Sequence, residues 1–490
     1  MPLADTGIAG LDTILCGGLP RNRIYLIEGD PGVGKTTLAL QFLLAGVAKG
    51  ERVLYVTLSE SEQEIKQVAE SHGWTLEGVS LFELSALQQQ MSLEAQNTVF
   101  HPSDVELTET TRAILNYVEK VNPQRVVFDS LSELRLLAQN PLRYRREVLN
   151  LKQYFAGKLS TVLLLDDRTS EPGDMQLQSL AHGVISMQQH AIDYGGDRRR
   201  IRVAKLRGRK FITGYHDYAV RTGGLEVFPR LVAAAQHEAE YKRDEVSSGI
   251  PALDKMLDGG LTRGTSTLIL GPAGTGKTAI ASAYACAAAM RGERVVMFEF
   301  DELRRTTIER ADSLGMKFSE AVAAGNLVVQ QIDPAEMSPG ELVHRARELI
   351  ENQGFKLIVF DSLNGYLHSM PAEKYLYIQL HELLTYFGQL GATTLMVMAQ
   401  SGIVGTTVSP ADISYIADSV MMLRYFEAAG RVRKAISVIK KRTGKHEDTI
   451  RELTLGGKDG ITLGEPLRDF RGILTSLPEF FGDRQKLEES

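Results

Sequence analysis

Two stretches of this chain have the residue types and spacing for phosphate chemistry. Gly29, Asp30, Pro31, Gly32, Val33, Gly34, Lys35 and Thr36, followed by Thr37, recur as Gly271, Pro272, Ala273, Gly274, Thr275, Gly276, Lys277 and Thr278, followed by Ala279. Both fill the pattern G-x-x-x-x-G-K-[ST]. Glycines let backbone N–H groups turn inward around phosphate oxygens, and the start of a following helix adds positive potential. Lys35 and Lys277 are expected to reach the β- and γ-phosphates of a nucleotide, and the hydroxyls of Thr36 and Thr278 to ligate its Mg²⁺.

Acids complete the expected sites. Asp129 and Asp361 each end an apolar run, which suits a second Mg²⁺ contact through water at the carboxyl edge of a sheet. Each precedes a serine, so helix capping is the competing role. Hydrolysis also needs a carboxylate to orient or deprotonate the attacking water. Glu60 after Ser59, and the pair Asp301-Glu302, are the candidates; the alternative is solvated acids at strand ends. One acid in the first copy and two in the second predict unequal rates.

These groups need strands and helices to hold them, and the chain supplies each set twice. The spacing from Lys35 to Lys277 is 242 residues, as it is from Gly7 to Gly249 and from Gly50 to Gly292. Apolar runs at 53–58, 125–128 and 161–165, and again at 295–300, 356–360 and 393–398, alternate with helical stretches such as 38–49 and 376–390. That alternation predicts an α/β fold, a mainly parallel sheet flanked by helices, in each copy. Later segments, 200–205 with 218–220 and 433–440 with 449–455, read as antiparallel hairpins at a sheet edge. The expected division is a first domain at 1–232, a charged linker at 233–247, a second domain at 248–470 and a tail at 471–490.

Composition narrows the class. The chain has 490 residues, a net charge of −6, 43% hydrophobic and 24% charged residues. No apolar run approaches the ~18 residues of a membrane span. The beginning of the chain lacks the basic and apolar regions of a signal peptide, and two cysteines, Cys16 and Cys286, suggest a reducing compartment, so a cytoplasmic location without membrane contact is expected.

The duplicated Gly-x-x-x-Leu-Asp…Gly-Gly-Leu opening (Gly7 to Leu19; Gly249 to Leu261), the tandem loops and the acids after the second strand resemble the KaiC family of clock ATPases, within the RecA-like superfamily. The resemblance implies two tandem RecA-like P-loop NTPase domains, ATP and Mg²⁺ as cofactors, and a homo-hexameric double ring with ATP between subunits. It also implies an ATPase first ring that receives a KaiB-like protein, and a second ring with autokinase and autophosphatase activity. The family's catalytic acids fall at Ser59-Glu60 and Asp301-Glu302. Its cations that touch a neighbour's nucleotide fall at Lys205 and Arg207, and at Lys440, Arg442 and His446, with Phe211 where a histidine would stand in the first copy. The family's Ser-Thr phosphorylation pair becomes Ser414-Tyr415. Ser414 keeps an acceptor hydroxyl; the longer Tyr415 does not substitute for threonine in line with a γ-phosphate. The short charged end of the tail argues against a KaiA-like regulator.

Two other functions compete with an ATP-hydrolysing regulatory ring. A DNA-dependent recombination ATPase would need basic loops after the strands at 161–165 and 393–398. Instead, 399–423 holds no Lys or Arg, and 166–189 sets Arg168 against four acids, so nucleic acid is not the expected partner. A scaffold held together by ATP, with incidental turnover, is the other alternative.

Overall fold

The computed structural model describes residues 2–84, 102–138, 140–167, 176–192, 195–233, 240–368, 376–400, 414–456, 460–474 and 479–481. The chain divides into two compact units, Met1–Arg230 and Leu231–Ser490. Each contains a nine-stranded sheet.

In the first unit the strands run in the order Gly224–Phe228, His216–Arg221, Arg198–Leu206, Gly183–His190, Ile24–Gly29, Thr161–Asp167, Arg125–Asp129, Val53–Thr57 and Val79–Glu83. They are parallel from Val79–Glu83 through Gly183–His190 and antiparallel beyond. The second unit repeats this as Leu327–Gln331, Val295–Glu299, Leu357–Asp361, Thr393–Ala399, Ser266–Gly271, Ser419–Ala428, Arg431–Lys441, Ile450–Leu455 and Ile461–Pro466. A parallel sheet must be covered on both faces, because each crossover lays a helix on one of them. The central strands are accordingly buried at every position. Alternate residues then feed separate cores: Tyr25 and Ile27 join the helix Lys35–Val47, while Ile24 and Leu26 join the helix Pro141–Ala156.

The apolar runs read from sequence lie in core strands, and the later segments lie in the antiparallel part of each sheet. Sequence reading missed the margin strands of both sheets, Val79–Glu83 and Gly224–Phe228 in the first and Leu327–Gln331 and Ile461–Pro466 in the second, and the strands Gly183–His190 and Ser419–Ala428 beside the phosphate-loop strand. Val79–Glu83 is only half-buried, so its apolar signal is weak. Glu245–Val246, at the end of the expected linker, pairs with Leu261–Thr262 in the second unit. Among the described residues no helix is long and apolar enough to cross a membrane. Cys16 is exposed and Cys286 buried, and neither is bonded.

The copies differ at one tight contact. A Cβ on Gly10 would lie 1.8 Å from the backbone oxygen of Val227, whereas the second copy carries Ala252 at the matching place. Gly10→Ala is therefore expected to lower the unfolding free energy by about 1–3 kcal/mol, the usual cost of overpacking. Urea denaturation measures this, and an unchanged midpoint would refute the contact.

Candidate functional site

Each phosphate-loop strand delivers its loop to the carboxyl edge of the sheet, and the helix begins at the loop lysine. Gly34 and Gly276 sit at the helix starts with φ of 93° and 105°, a left-handed backbone that favours glycine. Gly32 and Gly274 are also left-handed, and a Cβ on Gly32 would meet nothing within 4 Å. Val33 and Thr275 face inward, and the Thr275 hydroxyl donates to the Pro272 carbonyl at 2.9 Å. Asp30, Pro31 and Ala273 are exposed. Thr37 pairs its hydroxyl with His72 Nε2 at 3.2 Å, and Ala279 is buried.

In the first unit the Lys35 ammonium donates to the carbonyls of Gly29 and Asp30 at 2.8 and 2.9 Å and pairs with Asp167 Oδ1 at 2.7 Å. The Thr36 hydroxyl donates to Asp129 Oδ2 at 2.9 Å, and the Tyr55 phenol donates to the same oxygen. Burial, opposed by these two donors, holds the Asp129 carboxyl above its ordinary range. Glu60 stands at the end of the neighbouring strand with Oε2 buried and without a hydrogen-bond partner. Its carboxyl is raised by burial first, then by Asp129, Glu64 and Asp167. A desolvated carboxylate of raised basicity beside a phosphate loop is suited to accept a proton from water.

The second unit keeps the plan and changes the partners. Lys277 donates to the Pro272 carbonyl at 2.7 Å, and burial lowers its ammonium to about 8. The parallel register sets Gly271 beside Ala399 where Gly29 stands beside Asp167, so Lys277 has no acid in the place of Asp167. The Asp361 carboxyl is raised mainly by burial, against the lowering effect of the nearby Thr278 hydroxyl. Asp301 accepts from the Ser362 hydroxyl, and Glu302 is ion-paired with Arg310, one contact being 2.6 Å. Val68 stands 242 residues before Arg310, so Glu60 lacks this partner. Hydroxyl and carboxylate oxygens are the donors a hard cation takes. Among the described residues no three His, Cys, Asp or Glu side chains converge as a metal site, so an Mg²⁺ ion here would draw its other ligands from phosphate and water.

The cations inferred from the resemblance lie elsewhere in each unit. Lys205 donates to the Gln178 carbonyl at 2.6 Å and Arg207 to that of Ser179 at 3.0 Å. Lys440 donates to the carbonyls of Ser414 and Ala417 at 2.9 and 2.7 Å, and Arg442 to that of Tyr415 at 2.7 Å. Tyr415 is 58% exposed. His446 is half-buried in the loop beyond Arg442. Asp418 bonds Ser266, the first residue of the strand whose last residue, Gly271, opens the phosphate loop. Ser414 and the cations therefore belong to the opposite edge of the sheet from Lys277, roughly 17 Å along the strand at ~3.3 Å per residue. The same holds for Lys205 and Arg207, because Leu206 pairs with Gly183, itself the partner of Tyr25.

Asp167, Tyr55, Glu299 and Arg310 were not recognised from sequence as parts of the sites. Asp167 carried a signal, an acid ending an apolar run; Tyr55 and Arg310 carried none, since only the folded sheet brings them to their partners. Residues 168–175 and 401–413, the core of the two segments used to argue against DNA, lie outside the described residues, as do 234–239 of the linker and most of the tail.

The KaiC ATPase family matches residues 4–232 and again 246–468. A circadian clock oscillator protein KaiC from a Picosynechococcus strain is 27% identical over 491 residues, covering 99% of this chain and 94% of that protein. Its counterpart from Parathermosynechococcus lividus is 28% identical, covering 100% of this chain and 90% of that protein. The circadian clock protein KaiC3 of a Synechocystis strain is 26% identical, covering 97% and 94%. With both halves matched and each built around its own phosphate loop, the chain belongs to the KaiC family of ATPases.

Proposed function

We propose that both units bind ATP with Mg²⁺ and hydrolyse it, with Glu60 and Glu302 accepting the proton of the attacking water, in a hexameric double ring. The observation that supports this most is the separation, within each unit, of the phosphate loop from the paired cations at the opposite sheet edge. Cations so far from their own loop cannot reach the phosphates it holds; on another copy they would meet them through a head-to-tail contact, which makes a ring when its rotation closes. Lys205 and Arg207, and Lys440, Arg442 and His446, are then contacts to a neighbour's nucleotide. Asp129 and Asp361, with Thr36 and Thr278, would hold the cation that neutralises phosphate charge in transfer.

The same geometry supports autokinase activity in trans. In-line transfer needs reacting atoms about 3–3.5 Å apart, far closer than Ser414 lies to its own Lys277. Ser414 Oγ of one subunit would attack the γ-phosphorus bound by the next. The bond to the bridging oxygen breaks, ADP leaves, and the serine proton passes to Asp301 or Glu302 of the subunit holding ATP. Tyr415 is not assigned an acceptor role. The family resemblance alone supports the further proposal that a KaiB-like protein reads the first ring, in the cytoplasm.

Incubation with γ-labelled ATP and Mg²⁺ tests both activities in one sample. Released phosphate is expected, together with protein-bound label that disappears in Ser414→Ala. Phosphate without label would leave an ATPase whose signal is conformational, and neither product would sink the reading.

A further inference from the structure

The two sites carry different charge around the aspartate next to the loop threonine. Asp129 has two hydroxyl donors, Thr36 and Tyr55. In the second unit Met297 replaces Tyr55, which removes the phenol, and Glu299 replaces Thr57. The sheet register pairs Glu299 with Asp361 on adjacent parallel strands, as it pairs Thr57 with Asp129. Both carboxylates therefore project from the same face, toward the helix that Lys277 begins. Glu299 is 1% and Asp361 6% exposed. Glu299 Oε1 and Asp361 Oδ2 are each buried and without a hydrogen-bond partner. The first unit leaves no such acid: the Thr57 hydroxyl bonds the backbone of Glu60.

Two buried carboxyls side by side without a cation are costly. Arg310, paired with Glu302, lies close enough to act on both carboxyls and Lys277 on Asp361, but neither hydrogen-bonds Glu299 Oε1 or Asp361 Oδ2. Those two oxygens are left for a proton or a divalent cation. Mg²⁺ is commonly held by one or two carboxylates together with substrate phosphates and water, which is the donor set that Thr278, Asp361 and Glu299 offer around the loop.

We propose that Glu299 makes the second nucleotide site the tighter of the two for its divalent cation, by adding beside Asp361 a carboxylate with an open oxygen, whereas the extra acid of the first site, Asp167, is neutralised by Lys35. This rests on the nucleotide-binding reading above. The affinity of an oxygen site for such cations follows the charge of its ligands, and one added carboxylate at an effective dielectric intermediate between water and protein is worth on the order of tenfold.

The test is a Mn²⁺ titration of the full-length chain saturated with a non-hydrolysable ATP analogue, with free Mn²⁺ read by electron paramagnetic resonance. Two classes of site are expected. Glu299→Gln, which keeps shape and removes charge, should weaken the tighter class about tenfold and leave the weaker one unchanged. Tyr55→Met/Thr57→Glu should tighten the weaker class by a similar factor. A tighter class unmoved by Glu299→Gln, with the analogue still bound, would overturn the proposal: Glu299 would then carry a proton, a role glutamine can imitate. Should Glu299→Gln not fold, the first-domain double variant decides alone, and its failure to tighten overturns the proposal. Failure to bind the analogue would instead strike the nucleotide reading itself.

Discussion

Glu60→Gln is expected to lower ATP turnover of the first unit by roughly 10²–10⁴-fold, the range supplied by a positioned general base, while nucleotide binding survives. The substitution keeps the size of the side chain and removes its basicity. Glu60 is chosen because its Oε2 is buried and unpartnered, so no internal cation competes for the lone pair that must receive the proton. The pH dependence has a definite sign. A base works only when deprotonated, and burial with neighbouring acids raises the Glu60 carboxyl. Turnover should therefore fall as pH drops through a midpoint above the ordinary glutamate range, and Glu60→Gln should abolish that limb. Phosphate release in a Lys277→Ala background isolates the first unit. Unchanged turnover there would remove Glu60 from the reaction. Glu302, held by Arg310, is the less available base, so the unit that has lost an acid at Ser59 is not thereby the slower one.

Lys35→Ala is expected to weaken nucleotide binding at the first site by about 10–100-fold, from the loss of hydrogen bonds to charged phosphate worth roughly 1.5–3 kcal/mol. The lysine is buried and placed by the helix start, so alanine removes the charge while leaving the glycine-built loop. Lys277→Ala should act likewise at the second site. If nucleotide joins subunits in the proposed hexamer, each variant also shifts the chain toward smaller species. Sedimentation with and without ATP reads assembly, and a fluorescent ATP analogue reads affinity. Intact hexamers without nucleotide would contradict a ring closed through phosphates, whatever the affinities.

Both phosphate loops and the duplication were legible because the backbone geometry of such a loop demands glycines and a lysine at fixed spacing. Asp129 and Asp361 were legible because an acid closing a buried apolar strand must emerge at the sheet edge. The strands at the sheet margins were harder to read: where one face meets solvent, the apolar run breaks up. Charge partners across strands were harder still. Tyr55 and Asp129 are far apart in sequence and meet through parallel pairing, and neither residue type announces the other. Glu299 read as one more acid near Asp301, and the register that sets it beside Asp361 exists only in the folded sheet.

The sequence by itself determined the chemistry of the loops, the two-fold repeat and the α/β class, since each follows from local backbone requirements and periodic burial. Tertiary structure alone decided which acids are paired and which are not: Glu302 with Arg310, Lys35 with Asp167, and Glu60 without a cation. It also decided that Ser414 and the paired cations lie at the far edge of the sheet from their own phosphate loop. The physical reason is that strand order and register place side chains from distant parts of the chain within a few ångströms of one another. Electrostatic interaction depends on that distance and on burial, not on separation along the chain.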